Sequence, residues 1–125
     1  MDPIGNMLCC LRNGQRAKKT YVCVPYSRVV WAVLKVFFAE GYIRGIGRAS
    51  TQIVIVFKQT KGGVPVLQKM LRVSSSKRRV YINSKNMQPK HAGFSMRILS
   101  TVKGIMAENE ARQAGLGGEV LCELL

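Results

Sequence analysis

Ser100-Thr101-Val102-Lys103-Gly104 gathers two hydroxyls, one ammonium and backbone N–H groups left open by a glycine within five residues. These are the group types that bind phosphate oxygens and ribose 2′-hydroxyls. Ser and Thr before Gly also build ordinary turns, so the segment alone admits both readings. Basic runs accompany it at Arg12 to Lys19, Lys58 to Lys61 and Lys77 to Arg79, each near a turn or an element end. One such run is usually a solvated face. Three, with almost no acid between them, favour contacts along the backbone of a polyanion. Tyr81, shortly after Arg78 and Arg79, can stack on a base or sugar, or simply fill a strand.

Other chemistries find no constellation. Glu108 and Glu110 stand two apart on a helix and point different ways. Ser100 has no base, because the single histidine, His91, is nine residues back in a polar stretch. Gly115-Leu116-Gly117-Gly118-Glu119 lacks the preceding strand and the following Lys-Ser or Lys-Thr of a nucleotide loop, and reads as a tight turn. Cys9, Cys10, Cys23 and Cys122 include no C-x-x-C pair, which excludes the common zinc spacings and leaves reduced, buried thiols as the expectation. No enzyme, cofactor, metal or small-molecule substrate is expected.

Charge names the class of partner. Twenty Lys and Arg stand against six Asp and Glu, for a formal charge of +14. Self-repulsion on that scale weakens a compact state unless a polyanion neutralises it. The asymmetry is internal, since residues 1–107 hold nineteen of the twenty basic residues and only Asp2 and Glu40 of the acidic ones. Nucleic acid fits better than an anionic membrane, because the cations are not confined to one helix face and no apolar run is long enough to span a bilayer. No signal or transit peptide is visible. At 47% hydrophobic residues, the 125-residue chain can bury a core.

The elements that must position these residues are legible from periodicity. Asp2-Pro3 opens a helix with Ile4, Met7, Leu8 and Leu11 at helical spacing, and Asn13-Gly14 stops it. Residues 20–24 read as a strand ended by Pro25. Ser27 caps a second helix to about Ala39, with Gly41 past its end, and VVWAVLKVFF is apolar nearly all round. Strands follow at 42–46 and 52–58, separated by a turn at Gly47 to Ser50. Gly62-Gly63 is the internal boundary. Beyond it come a loosely alternating 64–73, a turn at Ser74-Ser75-Ser76 leading to a hairpin with a basic tip, and a polar stretch to His91. A strand at 94–99, a short helix at 107–114 stopped by Gly115, and a last strand at 119–124 complete an α+β chain.

Six separated blocks, in order, resemble the small-subunit ribosomal protein S8 family of bacterial and organellar type. Asp2-Pro3-Ile4, Met7-Leu8 and Arg12-Asn13-Gly14 are similar to the family's opening. Glu40-Gly41-Tyr42-Ile43 is similar to its E-G-[FY]-I, and Arg78-Arg79-Val80-Tyr81 to its R-x-[IV]-Y. Ser100-Thr101, Lys103 to Met106, Glu110 to Arg112 and Gly115 to Cys122 resemble its C-terminal signature. The resemblance implies an N-terminal α-β-α-β-β domain over residues 1–61 and a mainly β, rRNA-binding domain over 62–125. It implies a partner too: a helix in the central domain of the small-subunit rRNA, bound early in assembly among neighbouring small-subunit proteins. Carried over by position, Tyr81, Ser100, Thr101, Lys103, Gly104 and Glu119 are the expected contacts, with Arg78, Arg79, Arg12 and Lys18 adding affinity. Three departures stand out. Val102 replaces the second serine of S-T-S, Ser75-Ser76-Lys77 replaces a Pro-Gly turn, and Glu123 stands where an aromatic is common. Such drift favours a mitochondrial member over a bacterial or plastid one. A freestanding regulator of mRNA is the rival reading.

Overall fold

A computed structural model describes residues 2–59, 69–75, 77–86 and 96–124. The Gly62-Gly63 boundary, the start of the 64–73 segment, His91 and Phe94 lie outside the described residues. The chain divides into two compact units, Met1–Lys69 and Met70–Leu125.

In the first unit, helix α1 (Pro3–Arg16), strand β1 (Tyr21–Pro25), helix α2 (Arg28–Ala39) and strands β2 (Ile43–Ala49) and β3 (Gln52–Phe57) follow in the expected order. The strands form an antiparallel sheet in the order β1-β3-β2. Alternation puts Val22, Val24, Ile53, Ile55 and Phe57 on the buried face. Helix α1 contributes Ile4, Met7, Leu8 and Leu11 to the core, and α2 contributes Val30, Val33, Leu34 and Phe37. Each such side chain stabilises by about 1.5–3 kcal/mol when fully buried.

Three details differ from the sequence reading. Helix α1 does not stop at Asn13-Gly14 but runs to Arg16, and Gly14 is buried inside it. Its role is packing, because a Cβ there would stand 2.4 Å from Val22 Cγ1 and 3.1 Å from the Phe57 ring. Helix α2 buries one face rather than its whole circumference, leaving Phe38 about half exposed. Strand β2 continues through Gly47 and Arg48 to Ala49, so the turn tightens to Ser50-Thr51, with Ser50 at φ 57°. Cross-strand pairing with β3 extends a segment that local turn propensity alone would end.

Gly41 performs the expected stop. At φ 81° it lets Tyr42 N–H reach the Phe37 carbonyl (2.9 Å) while its own N–H reaches the Phe38 carbonyl (3.1 Å). That double bond satisfies the last open carbonyls of α2.

The second unit is built on its last strand. Strand β4 (Met70–Arg72) pairs with one end of β8 (Gly118–Leu124), and β5 (Tyr81–Ile82) pairs with the other end. Strand β6 (Met96–Thr101) lies on the far side of β8, and β7 (Gly104–Ala107) lies outside β6. A single 3-10 turn, Ser84–Asn86, follows β5, and the short helix α3 (Glu108–Gln113) joins β7 to β8. Behind the sheet, Ala111 of α3 packs with Leu99 and Val120, ringed by Val73, Val80, Ile82, Met106 and Leu116.

The expected hairpin with a basic tip takes another form. Strands β4 and β5 do not pair with each other among the described residues; both run along β8, and Ser74, Ser75 and Lys77 to Arg79 lie between them in the sequence, outside either strand. Strand β7 was not anticipated, because Gly104-Ile105-Met106 is too short to show a period.

The cysteines are reduced, but only Cys122 is buried; Cys9 and Cys23 are exposed and Cys10 is intermediate. Cys23 faces outward because it alternates with Val22 and Val24, whose side chains take the core face. Burial pushes the Cys122 thiol up to about 12, opposed in part by the charge of Arg72.

Candidate RNA-binding surface

Three facing residues on three adjacent strands form the centre of the surface. Tyr81 of β5 pairs with Glu119 of β8, and Glu119 pairs with Ser100 of β6. Directly opposed residues on neighbouring antiparallel strands share a face, so the row spans about 10 Å on one side of the sheet. Val80, Ile82, Leu99 and Val120 alternate with them and face α3 instead. Tyr81 is 66% exposed, and neither its hydroxyl nor that of Ser100 has a hydrogen-bond partner among the described residues.

Residues 100–104 are not a loop. Ser100 and Thr101 end β6, Gly104 begins β7, and Thr101 pairs with Gly104 across a two-residue turn of Val102 and Lys103. The turn that Ser and Thr before Gly allow is thus formed, as a strand-to-strand connection whose second strand is too short to show a period. The Thr101 hydroxyl donates to the Gly104 carbonyl (2.8 Å) and accepts from Lys103 N–H (3.2 Å). It is therefore committed to the turn and positions its neighbours. Gly104 sits at φ 119°, where a side chain would be strained. The turn thus holds Val102, 92% exposed, and Lys103 at the tip.

The basic excursion is anchored at its base. Ser74 is fully buried; its hydroxyl accepts from Val80 N–H (3.0 Å) and donates to the Val80 carbonyl (3.4 Å). Ser75 and Arg78 exchange both backbone bonds, at 2.8 and 3.2 Å. Lys77, Arg78 and Arg79 are all exposed. Arg79 and Tyr81 thus leave a fixed point beside the end of the row. Arg12 and Lys18 belong to the first unit, on α1 and in the turn after it, and both are exposed.

Two supports escaped the sequence reading. Glu108, only 4% exposed, receives both Nε (3.1 Å to Oε1) and a terminal nitrogen of Arg97 in a bidentate pair that ties α3 to β6. The observation that Glu108 and Glu110 point different ways gave no hint of this, since Arg97 lies eleven residues away with no periodic signal. Gly118 is the other. A Cβ there would meet the Ser100 carbonyl oxygen at 2.2 Å, and one at Gly117 would meet the Ile82 carbonyl at 2.7 Å. The two glycines let β8 pass between β5 and β6 at the level of the row.

The described row of polar and aromatic groups is open on one side and backed by a packed core. Residues 2–125 match the sequence model of the family described as Ribosomal protein S8. The chain belongs to the ribosomal protein S8 family. It is similar to the small ribosomal subunit protein uS8 of Ehrlichia canis, at 40% identity over 125 residues, covering 97% of this chain and 95% of that one. The uS8 protein of Brucella ovis is 42% identical over 130 residues, covering 98% and 96%. As a member of this family, the chain is a structural, non-enzymatic protein of the small ribosomal subunit that binds rRNA. These relatives are bacterial, and they lend no support to the mitochondrial preference drawn from the sequence.

Proposed function

We propose that the second unit makes the sequence-specific contacts with a helix in the central domain of the small-subunit rRNA, supporting subunit assembly. The observation that carries this reading is the Tyr81–Glu119–Ser100 row with the Lys103 turn at its end. Tyr81 offers a stacking face, and Ser100 offers a hydroxyl for a 2′-OH or base edge. Glu119 accepts from 2′-OH or base amino groups. Lys103 and the N–H groups around Gly104 meet phosphates, while Thr101 holds the turn. Arg78 and Arg79, together with Arg12 and Lys18 of the first unit, supply salt-dependent affinity.

Ser100→Ala with Lys103→Ala is expected to weaken binding of a central-domain rRNA transcript by about tenfold or more, with the thermal midpoint of the free protein unchanged. The slope of log affinity against log salt should fall by about one, for the lost ammonium. Unchanged affinity with a lowered midpoint would make the turn purely structural and reject the reading.

We infer a mitochondrial small subunit as its setting, supported by the drift at Val102, Ser75 to Lys77 and Glu123. A tagged chain should then sediment with mitochondrial small subunits; sedimentation with plastid or cytoplasmic ones instead would overturn this.

A further inference from the structure

The only tryptophan, Trp31, makes a tilted ring contact with Tyr26 in the first unit, far along the sequence from the row described above. Its ring centroid lies 6.5 Å from that of Tyr26, at an interplanar angle of 44°. The Arg48 guanidinium carbon lies 3.7 Å from the Tyr26 centroid on the ring face. Three elements hold this arrangement: Tyr26 follows β1, Trp31 is in the first turns of α2, and Arg48 is near the end of β2. The Tyr26 N–H donates to the Thr51 carbonyl at 2.8 Å, which ties the tyrosine to the β2–β3 turn.

Arg48 is exposed, and no carboxylate pairs with it among the described residues. The Tyr26 ring thus covers one side of the guanidinium, while its charge stays unneutralised. A guanidinium braced on a ring in this way leaves its other side open to an unstacked nucleobase, since bases stack on Arg planes as they do on aromatic rings. Lys would carry the charge without the plane.

We propose that Arg48, braced on Tyr26, stacks against an unpaired base of the small-subunit rRNA, giving the first unit a base contact of its own. The proposal rests on the rRNA-binding reading above. It differs from the phosphate contacts assigned to Arg12 and Lys18 in depending on shape rather than charge.

The test uses the full chain and a transcript of the rRNA central domain, with Arg48→Lys and Tyr26→Leu as variants. Arg48→Lys should weaken binding about tenfold, or 1.4 kcal/mol, while the salt slope stays the same because the charge is kept. Adding transcript should change Trp31 emission in the parent protein and leave it unchanged in Arg48→Lys. Binding of Arg48→Lys within twofold of the parent, with the Trp31 response intact, would mean that the guanidinium only braces the fold. A Trp31 response that needs ribosomal proteins and not the bare transcript would assign the platform to a protein partner, and would equally overturn the proposal. The parent reading fails separately: loss of affinity in Ser100→Ala with Lys103→Ala but not in Arg48→Lys removes only the platform, whereas no binding of the transcript by the parent protein removes both.

Discussion

Gly118→Ala should destabilise the second unit by roughly 3 kcal/mol or more, at or above the upper end of ordinary overpacking. The added Cβ would lie 2.2 Å from the Ser100 carbonyl oxygen and 3.0 Å from its carbon. Those atoms are backbone, so no rotamer change relieves the clash, and β6 or β8 has to move. Movement there breaks the pairing of Glu119 with Ser100, which sets the row. The expected result is a thermal midpoint lower by roughly 10 °C or more. Affinity for the rRNA transcript should also fall when measured well below that midpoint. Gly45→Ala is the matched control, because a Cβ at Gly45 on β2 meets nothing within 4 Å. Its effect should stay within about 0.5 kcal/mol. Equal, small effects of the two substitutions would show that close approach at Gly118 does not fix the register.

The contrast between these glycines marks how far a sequence alone can be read. Periodicity located α1, whose apolar residues recur at helical spacing, while α2 and β3 were legible as continuous apolar runs between turn residues. Ser27 and Gly41 were legible as the ends of α2, and Gly41 makes the stop through backbone bonds, whereas the Ser27 side chain makes no capping hydrogen bond. Gly14 read as a stop, because a glycine that admits Val22 and Phe57 looks the same in sequence as one that ends a helix. Ser100 to Gly104 admitted a turn, but the pairing of Thr101 with Gly104 was not legible because β7 is too short to show a period. The identities of the candidate contacts were legible through collinear blocks. Their arrangement as a row was not, because the row is defined by pairing among β5, β8 and β6, and β5 is only two residues long. Thr101 shows the gain from geometry: its hydroxyl belongs to the turn, which leaves Ser100 and Lys103 as the groups facing outward.

The largest effect away from the row is expected at the Arg97–Glu108 pair. Breaking a buried pair by removing one partner typically costs about 3–5 kcal/mol. Arg97 keeps 22% of its side-chain surface in solvent while Glu108 keeps 4%, so the two single substitutions are not equivalent. An Arg97 left alone can hydrate, and Glu108→Gln should cost only about 2 kcal/mol after that screening. A Glu108 left alone remains a charge in the interior, and Arg97→Met should cost about 3–4 kcal/mol. Replacing both, as Arg97→Met with Glu108→Leu, removes the charges together and should recover much of that loss, a sign of coupling that equilibrium denaturation of the four proteins would measure. Additive losses would mean that the two side chains act independently. The pair also bears on binding. It tethers the start of α3 to β6, and α3 places Ala111 against Leu99 and Val120, directly behind Ser100 and Glu119. The single variants should therefore weaken rRNA affinity although neither side chain belongs to the row, and the double variant should restore affinity in step with stability. Restored stability without restored affinity would instead place Arg97 or Glu108 in contact with the RNA.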